Sequence, residues 1–261
     1  MTIVLIAVAL YLIATALLVT GVQRNGASRL WLLPAGGGVL LHGLAHLLAW
    51  RQAGGADMHF FAAMSLVGLG MAALTTLVGA GGRMAALGVV VFPLAALTLS
   101  GYHRHGHVIA ETLDWRLQLH AWMALLAYAT LAIAALLAVM LWLQERALRR
   151  REFHAWLRAL PPLVELETLL FRTIAVGFAL LTATLLTGLL FVENLFAQHL
   201  VHKTVLSVLS WLAFGGLLLG RWRYGWRGAT AVRWTLVAMA LLILAFFGSK
   251  FVLELVLRRP A

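Results

Sequence analysis

Eight apolar runs, each long enough to cross a bilayer, decide what this chain can become. They cover about residues 3–20, 31–50, 60–80, 84–100, 117–143, 171–193, 203–220 and 231–256, and the first, IVLIAVALYLIATALLVT, carries no charge at all. A hydrocarbon core of roughly 30 Å takes about 20 helical residues. Inside it every backbone N–H and C=O must find a partner within the protein, so only helices and closed barrels can span. None of the eight runs alternates apolar with polar residues as a barrel strand must. The fold expected is therefore all-α: a polytopic helical bundle of about eight transmembrane helices. Composition agrees, with 63% hydrophobic and 11% charged residues, against about half and a quarter in soluble domains.

The charges then orient the bundle. Connections after spans 1, 3, 5 and 7 hold 13 of the Lys and Arg residues, from Arg24 to Arg233, and the other side holds 6: Arg51, Arg104, Arg116, Lys203, Arg258 and Arg259. Positive residues collect on the cytoplasmic side, so both termini are expected on the outer, periplasmic side of a bacterial inner membrane. Only Met1 and Thr2 precede the first run, with no basic stretch before it, which reads as a retained span and not a cleaved signal peptide. The net charge of +11 is that of arginines facing anionic headgroups; no nucleic-acid motif accompanies it.

No soluble domain and no repeat of fixed period interrupts the pattern, so residues 1–261 read as a single transmembrane domain. Two connections are long: a cytoplasmic one at about 144–170 and an outer one, GYHRHGHVIAETLDWR, at about 101–116. Pro161 and Pro162 break the first, and Glu165 and Glu167 follow at a helix start, where acidic side chains favour the dipole. Gly36, Gly37, Gly38, Gly215 and Gly216 lie inside spans, where small residues allow close helix contact.

The absence of cysteine excludes a disulfide relay, an iron–sulfur cluster and a c-type cytochrome. Histidine takes the interest instead. Of ten, only His154 falls on the expected cytoplasmic side. In LLHGLAHLLAW, His42 and His46 are four apart and so share a helix face. At 1.5 Å per residue His46 sits roughly 6 Å and His42 roughly 12 Å below the outer boundary, and His120 roughly 5 Å. His202 opens span 7. The His-x-x-x-His spacing resembles a zinc protease helix, but Gly43 stands where that chemistry needs a glutamate.

Imidazoles deep in apolar sequence, with Trp50, Trp122, Tyr128 and Trp211 nearby, suit a haem b. Its flat ring needs an apolar slot and axial nitrogens from facing helices. His42, His46, His120 and His202 are the candidates for holding it, with at least one of the span-2 pair expected to face His120. Arg116, Lys203 and Lys250 lie at the level where haem propionates would sit. The histidines at 103, 105, 107 and 199 are surface positions. Three other readings stay open on these residues: a haem b electron carrier exchanging with quinone, a transporter, or a cofactor-free membrane scaffold whose histidines only pack.

LPPLVELETLLFR, HKTVLSVLSWLAFGGLLLGRWRYGWRG and FGSKFVLELVL, in that order, resemble the cytochrome c assembly protein family, in its inner-membrane CcsA-like and HemX-like branch with the YpjD-type proteins. The resemblance implies haem handled by histidines near the outer face, with His42, His120 and His202 at matching positions. It implies as partners haem, other cytochrome c maturation proteins or an apocytochrome. The tryptophan-rich W-G-x-x-W-x-W-D segment of the haem lyases is reduced here to Asp114–Trp115, which argues against ligase activity and for a non-enzymatic, haem-binding member.

Overall fold

A computed structural model describes residues 1–23, 29–55, 58–80, 85–105, 114–151, 161–191 and 201–251. These residues form helices α1 (Thr2–Gln23), α2 (Leu32–Ala53, entered through a 3-10 turn at Arg29–Trp31), α3 (Phe60–Gly79), α4 (Ala85–His105), α5 (Trp115–Arg149), α6 (Leu163–Phe191), α7 (Val201–Tyr224) and α8 (Gly228–Ile243). All eight helical stretches are long and apolar enough to span a membrane, and α8 runs on into a π-helical turn, Leu244–Gly248.

Several helices outrun their apolar runs. α4 continues to His105, so the first residues of the expected outer connection are helical, and α5 and α6 extend into the expected cytoplasmic one. The cause is local. In α5 and α6, Arg-rich and Glu-rich sequence with no Gly or Pro carries good helix propensity, so the ladder persists past the lipid. Pro162 ends the break before α6 by supplying a carbonyl to the amides of Glu165 (2.8 Å) and Leu166 (3.0 Å), while its own missing N–H costs nothing at a helix start.

The chain divides into two compact units. In the first, α1 packs on α2 and α4, and α3 on α2 and α4, an up-and-down ring of four helices. Tyr11, Phe92, Leu87 and Leu99 are fully or almost fully buried in it. The second repeats the pattern, with α5 on α6 and α8, and α7 on α6 and α8, around Leu131, Leu137, Leu170, Ile174, Phe214 and Leu217.

Glycine and charge set the close approaches. Gly38 meets the Tyr11 ring, to which a Cβ would come within 3.0 Å, and Gly215 meets Phe178, whereas Gly36 and Gly216 have nothing within 4 Å among the described residues. Only some of the span glycines therefore serve packing. Glu167 does more than favour a dipole. It is buried, and its Oε1 accepts from Arg221 (2.7 Å) and Arg227 (3.3 Å). It thus ties the start of α6 to the end of α7 and to the turn before α8. Arg221 also lies over Phe171 at 4.7 Å.

Candidate functional site

In the first unit the imidazoles of α2 are not left to lipid. His42 is fully buried, and both its ring nitrogens are taken: Nδ1 lies 3.2 Å from the Tyr11 hydroxyl and Nε2 2.9 Å from Ser65 Oγ. The same Ser65 oxygen stands 2.9 Å from His46 Nε2. One serine on α3 thus bridges two histidines on α2, and a tyrosine on α1 closes the far end.

Rings stack along the same line. His42 and His46 are near-parallel at 5.5 Å, His46 stacks on Tyr102 of α4 at 4.5 Å, and Tyr102 leans on His59 at 5.8 Å. On the other side Tyr11 stacks on Phe92 (5.9 Å), which meets Trp31. The column joins all four helices of the unit. Gly38 permits it: with no Cβ, α2 lets the Tyr11 ring come close to its backbone one turn before His42.

The second unit holds a different arrangement. His120, half-buried in the second turn of α5, has Nδ1 3.1 Å from Thr187 Oγ1 on α6. The single hydroxyl hydrogen of Thr187 already goes to backbone carbonyls of its own helix, Thr184 at 2.9 Å and Ala183 at 3.0 Å. Thr187 must then accept from His120, so Nδ1 carries the proton and Nε2 keeps its lone pair. A metal-bound histidine is held this way, with the second nitrogen donating to an oxygen that fixes ring and tautomer. Gly188 makes the approach possible, since a Cβ there would stand 3.1 Å from His120 Cε1.

The cations expected near a haem edge occupy the end of the unit where α5 and α7 begin and α8 finishes. Arg116 is exposed, with its guanidinium 5.7 Å from the Trp115 ring, and Lys250 lies 5.5 Å from the Phe246 ring. His202 and Lys203 open α7, the first exposed and the second half-buried. Two of the aromatics expected to line a slot are engaged elsewhere: Tyr128 donates to the Leu242 carbonyl beside the π-helical turn (2.5 Å), and Trp211 donates to Thr182 Oγ1 (2.8 Å) and stacks on Phe178. His103 is exposed at the end of α4, and His105 stacks on Phe61 at 3.6 Å. His107, His154 and His199 lie outside the described residues.

Among the described residues no group of three or more His, Cys, Asp or Glu side chains could hold a metal ion. A haem asks less, because the porphyrin supplies four nitrogens and the protein only axial ligands. The donor set of His120 fits that demand. Tyr11, Ser65 and Thr187 escaped the sequence reading, since they lie 31, 23 and 67 residues from their histidines. The one available signal was the single aromatic residue of the first span, Tyr11.

Comparison with known proteins agrees with the motif resemblance. The profile of the cytochrome C assembly protein family matches residues 38–257. The inner membrane protein YpjD of Escherichia coli K12 is 31% identical over 258 residues, covering 97% of this chain and 98% of that protein. An uncharacterized 28.8 kDa protein from Azospirillum brasilense is 39% identical over 143 residues, about half of each chain. Protein HemX of Brevibacillus brevis is 26% identical over 131 residues, again about half of each. No solved structure matches. Likeness to an inner-membrane protein along almost the whole chain, with eight helices of spanning length, makes this a multi-pass inner-membrane protein.

Proposed function

The chain belongs to the cytochrome c assembly protein family, and from that premise we propose that it binds haem b near the outer face of the membrane and handles it for cytochrome or haem-protein maturation. His120 would ligate its iron. The observation that carries this reading is the His120–Thr187 pair, which leaves a lone pair on Nε2 and orients the ring through Nδ1. Haem, when bound, supplies the iron and its redox chemistry; the residues of this chain hold and orient it. Arg116, Lys203 and Lys250 would offset the charge of its propionates, and His202 stands at the same end of the unit.

Orientation follows from the arginine distribution, which sets both termini and the His120 end outward. With the tryptophan-rich lyase segment reduced to Asp114–Trp115, the role is to carry or present haem to maturation partners and not to form the thioether bonds. The test is an absorption spectrum of detergent-purified protein, oxidised and then dithionite-reduced. Wild type and His154→Ala should show a Soret band with sharp reduced α and β bands, and His120→Ala should lose it. Equal haem retention in His120→Ala and His154→Ala removes His120 as a ligand.

A further inference from the structure

The connection between α7 and α8, at the opposite end of α7 from His202, carries chemistry that a haem site does not use. Residues 220–234, GRWRYGWRGATAVRW, hold four arginines, four aromatic residues and no acid. The protein meets two of those charges itself, because Glu167 accepts from both Arg221 and Arg227. Arg223 and Arg233 are different. Both are exposed, and among the described residues neither makes an ion pair.

The backbone between these two arginines is pinned. The amide of Gly225 donates to the Arg221 carbonyl (3.1 Å) and that of Trp226 to the Gly220 carbonyl (3.2 Å). Gly225 and Gly228 take φ of +65° and +50°, a left-handed reversal that a Cβ would oppose. Gly220 seats the indole of Trp226, whose ring a Cβ there would overlap, and Arg221 Nη1 donates to the Trp226 carbonyl at 3.3 Å. From that seat rings stack both ways, onto Tyr224 at 6.4 Å and onto Trp234 of α8 at 5.8 Å. Arg223 and Arg233 each directly precede an end ring of this ladder, so the ladder ties both arginines to one connection.

The level of the ladder in the bilayer follows from its exposure. Trp222 is 83% and Tyr224 74% exposed, and tryptophan and tyrosine rings at the ends of spanning helices sit among the headgroups. At that depth the abundant anion is phosphate, and a guanidinium binds phosphate oxygens as a planar fork.

We infer that the α7–α8 connection is a binding site for the phosphate headgroup of an anionic phospholipid, with Arg223 and Arg233 as its phosphate-binding side chains and the Tyr224–Trp226–Trp234 ladder holding them at headgroup level. The phosphate comes from a lipid and not from solution, because the exposed neighbours of these arginines are rings suited to the glycerol and upper acyl region. The site singles out two arginines from a basic surface that would otherwise attract an anionic leaflet evenly, and it does not depend on haem.

Native mass spectrometry of the full chain in detergent, titrated separately with phosphatidylglycerol and phosphatidylcholine, reads the affinity for the first bound lipid. Wild type should retain phosphatidylglycerol more tightly. Arg223→Gln and Arg233→Gln should each weaken that binding about fivefold, the size expected of one basic side chain at an anionic surface, and leave phosphatidylcholine unmoved. Arg29→Gln and Arg150→Gln remove exposed charges elsewhere and should leave both lipids nearly unmoved. Equal losses in all four variants overturn the site and leave only diffuse attraction, and so does wild type without a preference for phosphatidylglycerol. Trp226→Leu keeps every charge and should also reduce the preference; wild-type binding in that variant overturns the part given to the ladder. Inorganic phosphate in large excess should not displace the lipid, and displacement would make this a site for free phosphate instead.

Discussion

Replacing Thr187 by valine probes the haem reading one step behind the proposed ligand, His120. Valine keeps the β-branched shape and removes one oxygen. In the native protein that oxygen accepts from His120 Nδ1 at 3.1 Å while its hydrogen serves carbonyls of α6. Those carbonyls keep their place in the helix ladder, so the loss falls on His120, which keeps only the Thr184 backbone carbonyl beside its ring. Removing such an outer partner lowers metal affinity about 10–100-fold. The 3.1 Å separation lies toward the long end of N–H···O bonds, and His120 is only half-buried, so the lower end applies. The expected change is about tenfold, or about 1.4 kcal/mol. A hemin titration in detergent reads it directly, with Thr187→Ser as the control that restores the hydroxyl and the affinity. If valine and serine variants bind hemin as tightly as wild type while His120→Ala does not, the hydrogen bond has no part in holding the ligand, and the tautomer argument fails.

Three further outcomes bear on the frame. Glu167→Gln leaves Arg221 and Arg227 without a counter-charge. Breaking a fully buried pair costs about 3–5 kcal/mol, but the arginine side chains are 29% and 63% exposed, so a loss of about 1–2 kcal/mol is expected in detergent unfolding, and an unchanged midpoint would show that the pair is ornamental. Gly177→Ala would set a Cβ 2.5 Å from Leu131 Cδ2; overpacking costs about 1–3 kcal/mol against a propensity gain of about 1, so net destabilisation is expected, and a gain in stability would mean that α5 and α6 separate freely. The cysteine-free chain also accepts single reporters: Gln52→Cys should react with an impermeant maleimide from the outer side and Arg150→Cys only after permeabilisation, with the reverse pattern inverting the proposed topology.

Much of the architecture was legible in advance because lipid leaves the backbone so little choice. Eight apolar runs became eight helices, and the differences lie at ends such as those of α5 and α6, where helix propensity carries the ladder beyond the run. The site was legible only in its histidines. His42, His46 and His120 stand out because imidazole is rare and costly in apolar sequence. Their partners do not, since serine and threonine inside a membrane helix commonly bond their own backbone, as Thr130 and Thr182 do here. Glu167 shows the same limit: its place near a helix start suggested a dipole role, and the two arginines it binds lie 54 and 60 residues away.

By itself, then, the sequence determined the solvent, the helical class, the number of spans and the family, because these depend on composition, run length and motifs within single segments. Only the tertiary structure decided that Ser65 stands between His42 and His46, that Tyr11 closes one end of their chain, and that Thr187 leaves Nε2 of His120 as the nitrogen with a lone pair. A histidine has two nitrogens and one movable proton, and which nitrogen faces a ligand is set by what the other one touches. That neighbour comes from another helix, and no pattern along α2 or α5 encodes it.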